Sequence, residues 1–360
     1  MAQKETDMLH GPLLGKIIMF ALPYAATGIL EQLFNSINVA VVGRFASSHA
    51  MAAVGATTFL INLIINLFMG VSIGANAVIS NYIGRRDRLA ARHAVNTTIA
   101  LSLIGGVLLL IIGLTVAVPL LRMLGTPDDI INDAALYLRI YFLSAPFFMV
   151  YNFGAAILRS KGDTRTPLYI LCVAGLINVT VSMVTVIVFH LSVVGVALAT
   201  LTANSFSCVV IVVLLHHEKG IFRLQPRHIY IYPKELKRIL AIGLPAGLQS
   251  MVFSFSNVFV QSSINTFGYA AIAGASLCVT FDAYSYYVLS AFCAAAITFT
   301  GQNYGAGQID RCRRIFRICM LLGGTAIFIC NMTFVTFADP LTSIFTVDPK
   351  VIYYCKWRIH

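Results

Sequence analysis

Long apolar runs separated by short polar interruptions set the pattern of this 360-residue chain. The runs cover residues 17–42, 50–82, 94–121, 134–158, 168–189, 193–215, 239–264, 270–300 and 315–338, and a further one opens near Val351. Each is long enough for an α-helix to cross a hydrocarbon core, which takes roughly 20 apolar residues. They are glycine-rich and flanked by charge, so they predict helices and not the short alternating strands of a membrane barrel. The expected fold class is all-α: a polytopic membrane protein with nine complete spans and the start of a tenth. One long polar stretch, residues 216–238 with Pro226 and Pro233, reads as a linker. The chain then divides into an N-terminal tail (1–16), a first lobe of six helices (17–215), the linker (216–238) and a partial second lobe (239–360).

The pattern is written twice. Phe20-Ala21-Leu22-Pro23 returns as Ile242-Gly243-Leu244-Pro245, 222 positions on. Val54-Gly55-Ala56-Thr57 returns as Ala273-Gly274-Ala275-Ser276, 219 positions on, and Pro119-Leu120 as Pro340-Leu341, 221 positions on. A period of about 220 residues predicts a complete product of about 440 with twelve helices. On that reading the present chain is C-terminally truncated and is not expected to transport. Six helices precede the repeat boundary, an even number, so both copies enter the membrane from the same side. That makes them parallel repeats, related by a pseudo-two-fold axis along the membrane normal.

Charge adds the orientation. Of the 25 Lys and Arg residues, 19 fall in loops on the side that holds the N-terminus and the linker. By the positive-inside rule that side is cytoplasmic. The net charge of +11 is thereby assigned to topology and anionic lipid headgroups, not to nucleic acid. The first apolar run is too long for a cleavable signal and reads as a retained helix. Most of the eight cysteines fall within predicted helices without metal-type spacing, and read as reduced packing residues. His216-His217-Glu218 reads as a solvated helix end, with no further ligands to make a metal site.

Three motifs point to a family: residues 33–74, beginning LFNSINVAVVGRF; residues 157–168, ILRSKGDTRTPL; and residues 298–307, TFTGQNYGAG. In type and order they resemble the multidrug and toxic compound extrusion (MATE) transporters, and among these the bacterial branch. The resemblance implies two six-helix lobes around a central cavity. It further implies secondary active export of cationic amphipathic compounds in antiport with protons or sodium ions. The implied partners are small cationic substrates and membrane lipids, with no enzyme activity, no metal and no cofactor beyond the coupling ion. The expected state is a monomer in the bacterial inner membrane.

Charges deep in a bilayer are costly, about 2.5–3.5 kcal/mol on insertion scales, so each needs a reason. The complete spans hold two deep acids, Glu31 and Asp282. Either can carry a cation or lock helix packing. Asp282, beside the aromatic run Phe281, Tyr284, Tyr286 and Tyr287, is expected to matter more for coupling than Glu31. Glu31, Asn35 and Asn38 are spaced to share one face of the first helix. Asn62, Asn66 and Asn257 join Asn35, Tyr284 and Tyr287 as candidates to line the substrate cavity. The departures from the family are informative. Where many members have acids, this chain has Asn38, Ser182 (four residues after Asn178) and Phe253. Asn38, Asn178 and Ser182 can ligate sodium through oxygen but cannot carry a proton.

Two rivals have different requirements. A lipid-linked precursor flippase of the same wider superfamily calls for a basic cavity, yet no Lys or Arg falls at mid-span. An intramembrane enzyme calls for clustered nucleophiles at depth, and none is evident.

Overall fold

The computed structural model describes residues 7–45, 48–123, 128–218, 220–225, 229–264, 269–343 and 349–359. Helices dominate them, and no strand occurs among the described residues. The first lobe is built from α1 (Leu13–Phe45), α2 (Ser48–Gly84), α3 (Arg88–Met123), α4 (Asp128–Leu143), α5 (Ala145–Ser160), α6 (Arg165–Met183) and α7 (Ser192–His217). The second holds α8 (Pro233–Ile264), α9 (Tyr269–Gly305), α10 (Ile309–Thr336), the short α11 (Ala338–Ser343) and α12 (Pro349–Ile359). Among the described residues, eight helices are long and apolar enough to cross a membrane, and α4 with α5, bent by 45° at the break, counts as a ninth when the pair is taken as one span. The bend has a local cause. Pro146 has no amide proton for the Phe142 carbonyl, and Ser144 at the break bonds the Tyr141 carbonyl instead, at 2.6 Å.

The linker is shorter than the polarity pattern suggests, because α7 continues to His217 and α8 begins at Pro233. It is also docked. Phe222 and Leu224 are buried, Lys161 pairs with Glu218, and the His93 and Tyr232 rings stack at 3.7 Å. The Tyr232 amide donates to Thr97 Oγ1 at 3.1 Å. His216 and His217 turn their Nδ1 atoms to the Leu224 and Val213 carbonyls. The polar segment therefore clamps the linker end of the first lobe, across α3 and α5.

The repeat symmetry is visible at the lobe boundary. Asn76 Nδ2 on α2 donates to Thr298 Oγ1 on α9 at 3.1 Å, and the two positions are 222 apart. Asn81 Nδ2 donates to the Gly301 carbonyl at 3.4 Å, 220 positions away. Repeat-equivalent residues can touch only at a two-fold axis. The axis therefore runs between α2 and α9, two helices that point the same way. This is the parallel arrangement expected from an even helix count.

Around that axis the lobes meet closely on the linker side. Gly70 and Gly74 of α2 lie against Gly243 and Gly247 of α8. A Cβ added at Gly70 would come within 2.2 Å of the Gly247 nitrogen, and one at Gly74 within 2.4 Å of the Ile239 carbonyl oxygen. Small residues let two backbones approach in this way, and van der Waals contact between them drives helix association in lipid. Polar bonds extend the seal. Arg238 Nη1 donates to the Tyr82 hydroxyl at 2.7 Å, Tyr82 donates to Glu235, and Gln302 Nε2 donates to the Ser160 carbonyl at 2.7 Å. Away from the linker side the picture changes: Phe255, Ser256, Asn257, Phe259 and Val260 on α8 are exposed, as are Asn35, Ser36 and Ala40 on α1. The close backbone contacts between the lobes thus lie on the linker side.

Candidate functional site

Two groups of polar residues lie where the closed half gives way to the open half. The first is inside the first lobe. Helices α1 and α6 run in the same direction, and the Phe34 ring occupies the space a side chain would take at Gly175, its atoms within 1.8–2.4 Å of an added Cβ. One turn further along both helices, this register brings Asn38 level with Asn178, and Ser182 follows one turn later. Asn38 Oδ1, Asn178 Oδ1 and Ser182 Oγ are all buried without a hydrogen-bond partner. Asn178 Nδ2 reaches Thr200 Oγ1 on α7 at 3.5 Å. An unmet buried polar atom costs about 1–3 kcal/mol, and native folds rarely leave several together without a use. Just past Ser182, α6 widens into a π-helical turn, Val184–Val188, a local geometry frequent at functional sites. Each of the three offers an unmet neutral oxygen, a donor type that suits a small cation.

The second group surrounds Glu31. Tyr24, Gly28, Glu31 and Asn35 recur at helical spacing along one stripe of α1. Tyr287 of α9 lies against Gly28, where an added Cβ would fall 2.3 Å from its ring. The Arg159 guanidinium of α5 stacks 4.6 Å from the centre of the Tyr24 ring. Arg159 is the cation whose field reaches Glu31, and Tyr141, Tyr151 and Tyr287 stand within electrostatic reach of its carboxylate. The acid is half-buried at the point where the first lobe touches α9. A movement of one lobe against the other therefore changes its surroundings.

Asp282 is placed elsewhere. It is 73% exposed, and its carboxylate lies 3.8 Å from Arg358 on α12. At 3.6 residues per turn it points about 140° away from Tyr287, on the side of α9 remote from the lobe contact. The two deep acids are thus not in one site. Asn66 donates to Ser254 Oγ at 3.0 Å, joining α2 to α8 across the lobes. Asn35 and Asn257 are exposed toward the open half, and Tyr284 is half-buried on α9. The Asn62 side chain lies outside the described residues. Sequence reasoning missed Arg159, Tyr24 and the glycine seal. Gly70-x-x-x-Gly74 and Gly243-x-x-x-Gly247 were legible signals for the seal.

Two pseudo-symmetric helical lobes that meet around polar groups at mid-span are the architecture of a polytopic membrane transporter. The MatE family model matches residues 23–184 and 245–356, and the chain belongs to that family of transporters. It is 26% identical over 346 residues to the probable multidrug resistance protein YoeA of Bacillus subtilis, covering 93% of this chain and 74% of that one. To the multidrug export protein MepA of Staphylococcus aureus it is 20% identical over 345 residues, 95% of this chain and 75% of the relative. The fold superposes on an outward-facing multidrug resistance MATE transporter with a TM-score of 0.91 at 22% identity, over 99% of this chain and 80% of the other.

Proposed function

We propose that this protein is a secondary active exporter of cationic amphipathic organic compounds, driven by inward movement of sodium ions or protons. Membership of a drug-extruding family supports export, and a basic cavity suited to a lipid pyrophosphate is not what surrounds Glu31. The linker side, with its excess of Lys and Arg, is the cytoplasmic side, so the seal described above is an inner gate and the structure is outward-open.

The observation that carries the coupling assignment is the unmet oxygens of Asn38, Asn178 and Ser182, about two to three turns beyond Glu31 on the same side of the inner gate. Neutral oxygens bind sodium but cannot store a proton, so sodium is the coupling ion favoured there. Glu31 supplies the charge. A bare carboxylate in a low-dielectric cleft is expensive, and a bound cation relieves the cost. A coupling ion must bind with different affinity in the two states of the gate, and Glu31 sits where the lobes meet. On this reading Glu31 and not Asp282 is the coupling acid, an order different from the one expected from the aromatic run beside Asp282.

The test, made in the complete product of about 440 residues that the repeat predicts, is export of a monovalent cationic dye from reconstituted vesicles under an imposed sodium or proton gradient. Glu31→Gln should lose gradient-driven export at normal expression, whereas Asp282→Asn should keep most of it. Retention of full coupled export by Glu31→Gln would remove Glu31 from the mechanism.

A further inference from the structure

Two of the eight cysteines face each other across a helix contact that the transport reading does not use. Cys278 on α9 and Cys355 on α12 are both buried, at 2% and 0% exposure. Their Sγ atoms lie 3.3 Å apart, and Cys278 Sγ also donates to the Cys355 carbonyl at 3.2 Å. Phe281, Phe334 and Leu341 pack around the pair.

The cause of this approach is one turn away. Gly274 has no side chain, and a Cβ there would lie 2.8 Å from the Cys355 nitrogen and 2.9 Å from the Val351 carbonyl oxygen. The α12 backbone rests on that glycine, which holds the two thiols in register. Gly274, Cys278 and Asp282 form a stripe at i, i+4 and i+8 on α9, with Arg358 at 3.8 Å from Asp282 closing its lower end. Forming an S–S bond from this separation needs the sulfurs to move together by about 1.2 Å, within reach of side-chain rotation.

We propose that Cys278 and Cys355 are a disulfide-forming pair that staples α9 to α12 when it meets a small membrane-permeant oxidant of the azo or disulfide class. The apolar surroundings exclude protein-sized oxidants. With an azo oxidant, one thiol adds to the N=N bond, forming S–N and passing its proton to the other nitrogen. The second sulfur attacks the first, the S–N bond breaks, and the second proton leaves on the resulting hydrazine. Two thiols lose two electrons and two protons, and the azo compound gains them. The staple joins α12 to the helix whose other half forms the inner gate with α2. This assignment is independent of the transported substrate.

The experiment is diamide treatment of the full chain in membranes, followed by denaturation, alkylation of remaining thiols and mass analysis of fragments. The fragments bearing Cys278 and Cys355 should stay joined without reductant and together weigh two hydrogens less, with neither residue alkylated. The other six cysteines should remain alkylatable. Cys278→Ser and Cys355→Ser should each abolish the joined product. Gly274→Val keeps both thiols but pushes α12 away, and should slow the joining several-fold. A chain carrying just this cysteine pair, the other six replaced by Ala, should still form it. Full alkylation of both residues after diamide, in the wild type and in the two-cysteine chain, would overturn the proposal.

Discussion

Asn38, Asn178 and Ser182 allow a test that separates function from packing. If these oxygens served the fold, removing one would destabilise it. Because each is buried without a partner, replacing Asn38 by Ala deletes an unmet group and should leave thermal stability unchanged or raised by up to about 1–3 kcal/mol. The same change should weaken sodium-driven dye export and raise the sodium concentration needed for half-maximal rate by about tenfold, equivalent to about 1.4 kcal/mol of binding. Thermal melts and sodium titrations on one preparation check both halves. Arg159 belongs to the same scale. It stacks on Tyr24 and faces Glu31, so Arg159→Gln should shift the ion dependence of export and not merely its rate.

Among the helices, the α2–α8 contact is the proposed inner gate. Gly74→Leu places a branched side chain where backbone atoms lie 2.4–2.9 Å from a single added carbon. The gate should then fail to close. Cysteines placed on the linker half of α8 should become accessible from the cytoplasmic side, with export reduced and membrane insertion intact. Unchanged labelling would mean that the contact is not a gate. The N-terminal segment works with it. Met8 is 1% exposed against α9 and α10, and its carbonyl accepts from Asn303 Nδ2 at 3.1 Å. Asp7 caps this strap. Partial burial pushes its carboxyl up, but amide bonds from Leu9 and His10, together with Lys16 and the His10 ring, bring it below the ordinary carboxylate value. A lowered folded-state value means that the cap's contribution is present above the ordinary value and lost as pH falls through the lowered one. Asp7 is 55% exposed, so the effect is small. Asn303→Ala should act more strongly, loosening the strap and speeding exchange of the Met8–His10 amides at neutral pH.

At the scale of the whole molecule, the charge asymmetry predicts the sidedness on which the gate assignment rests. With the native cysteines replaced, a cysteine at Ser47 should react with an impermeant reagent from outside, and one at Gly220 should not. The opposite pattern would turn the inner gate into an outer one. Hydrophobic length, charge bias and a 222-residue echo such as Pro23 and Pro245 are written along the chain, so the spans, the two lobes and their parallel relation were legible there. They follow from local rules: the bilayer demands a fixed helix length, and an even number of crossings returns the chain to the same side. Glu31 and Asp282 show where those rules stop. Both lie near mid-span in sequence, but depth along a helix does not say which way a side chain faces. That depends on which helices pack together, and α9 turns Asp282 to Arg358 on α12 while α1 brings Glu31 to the lobe contact with Arg159 and Tyr287. The meeting of Phe34 with Gly175, of Gly74 with Gly243 and of Cys278 with Cys355 was likewise decided by packing between segments far apart in the chain. No single helix contains the backbone approach that sets those distances.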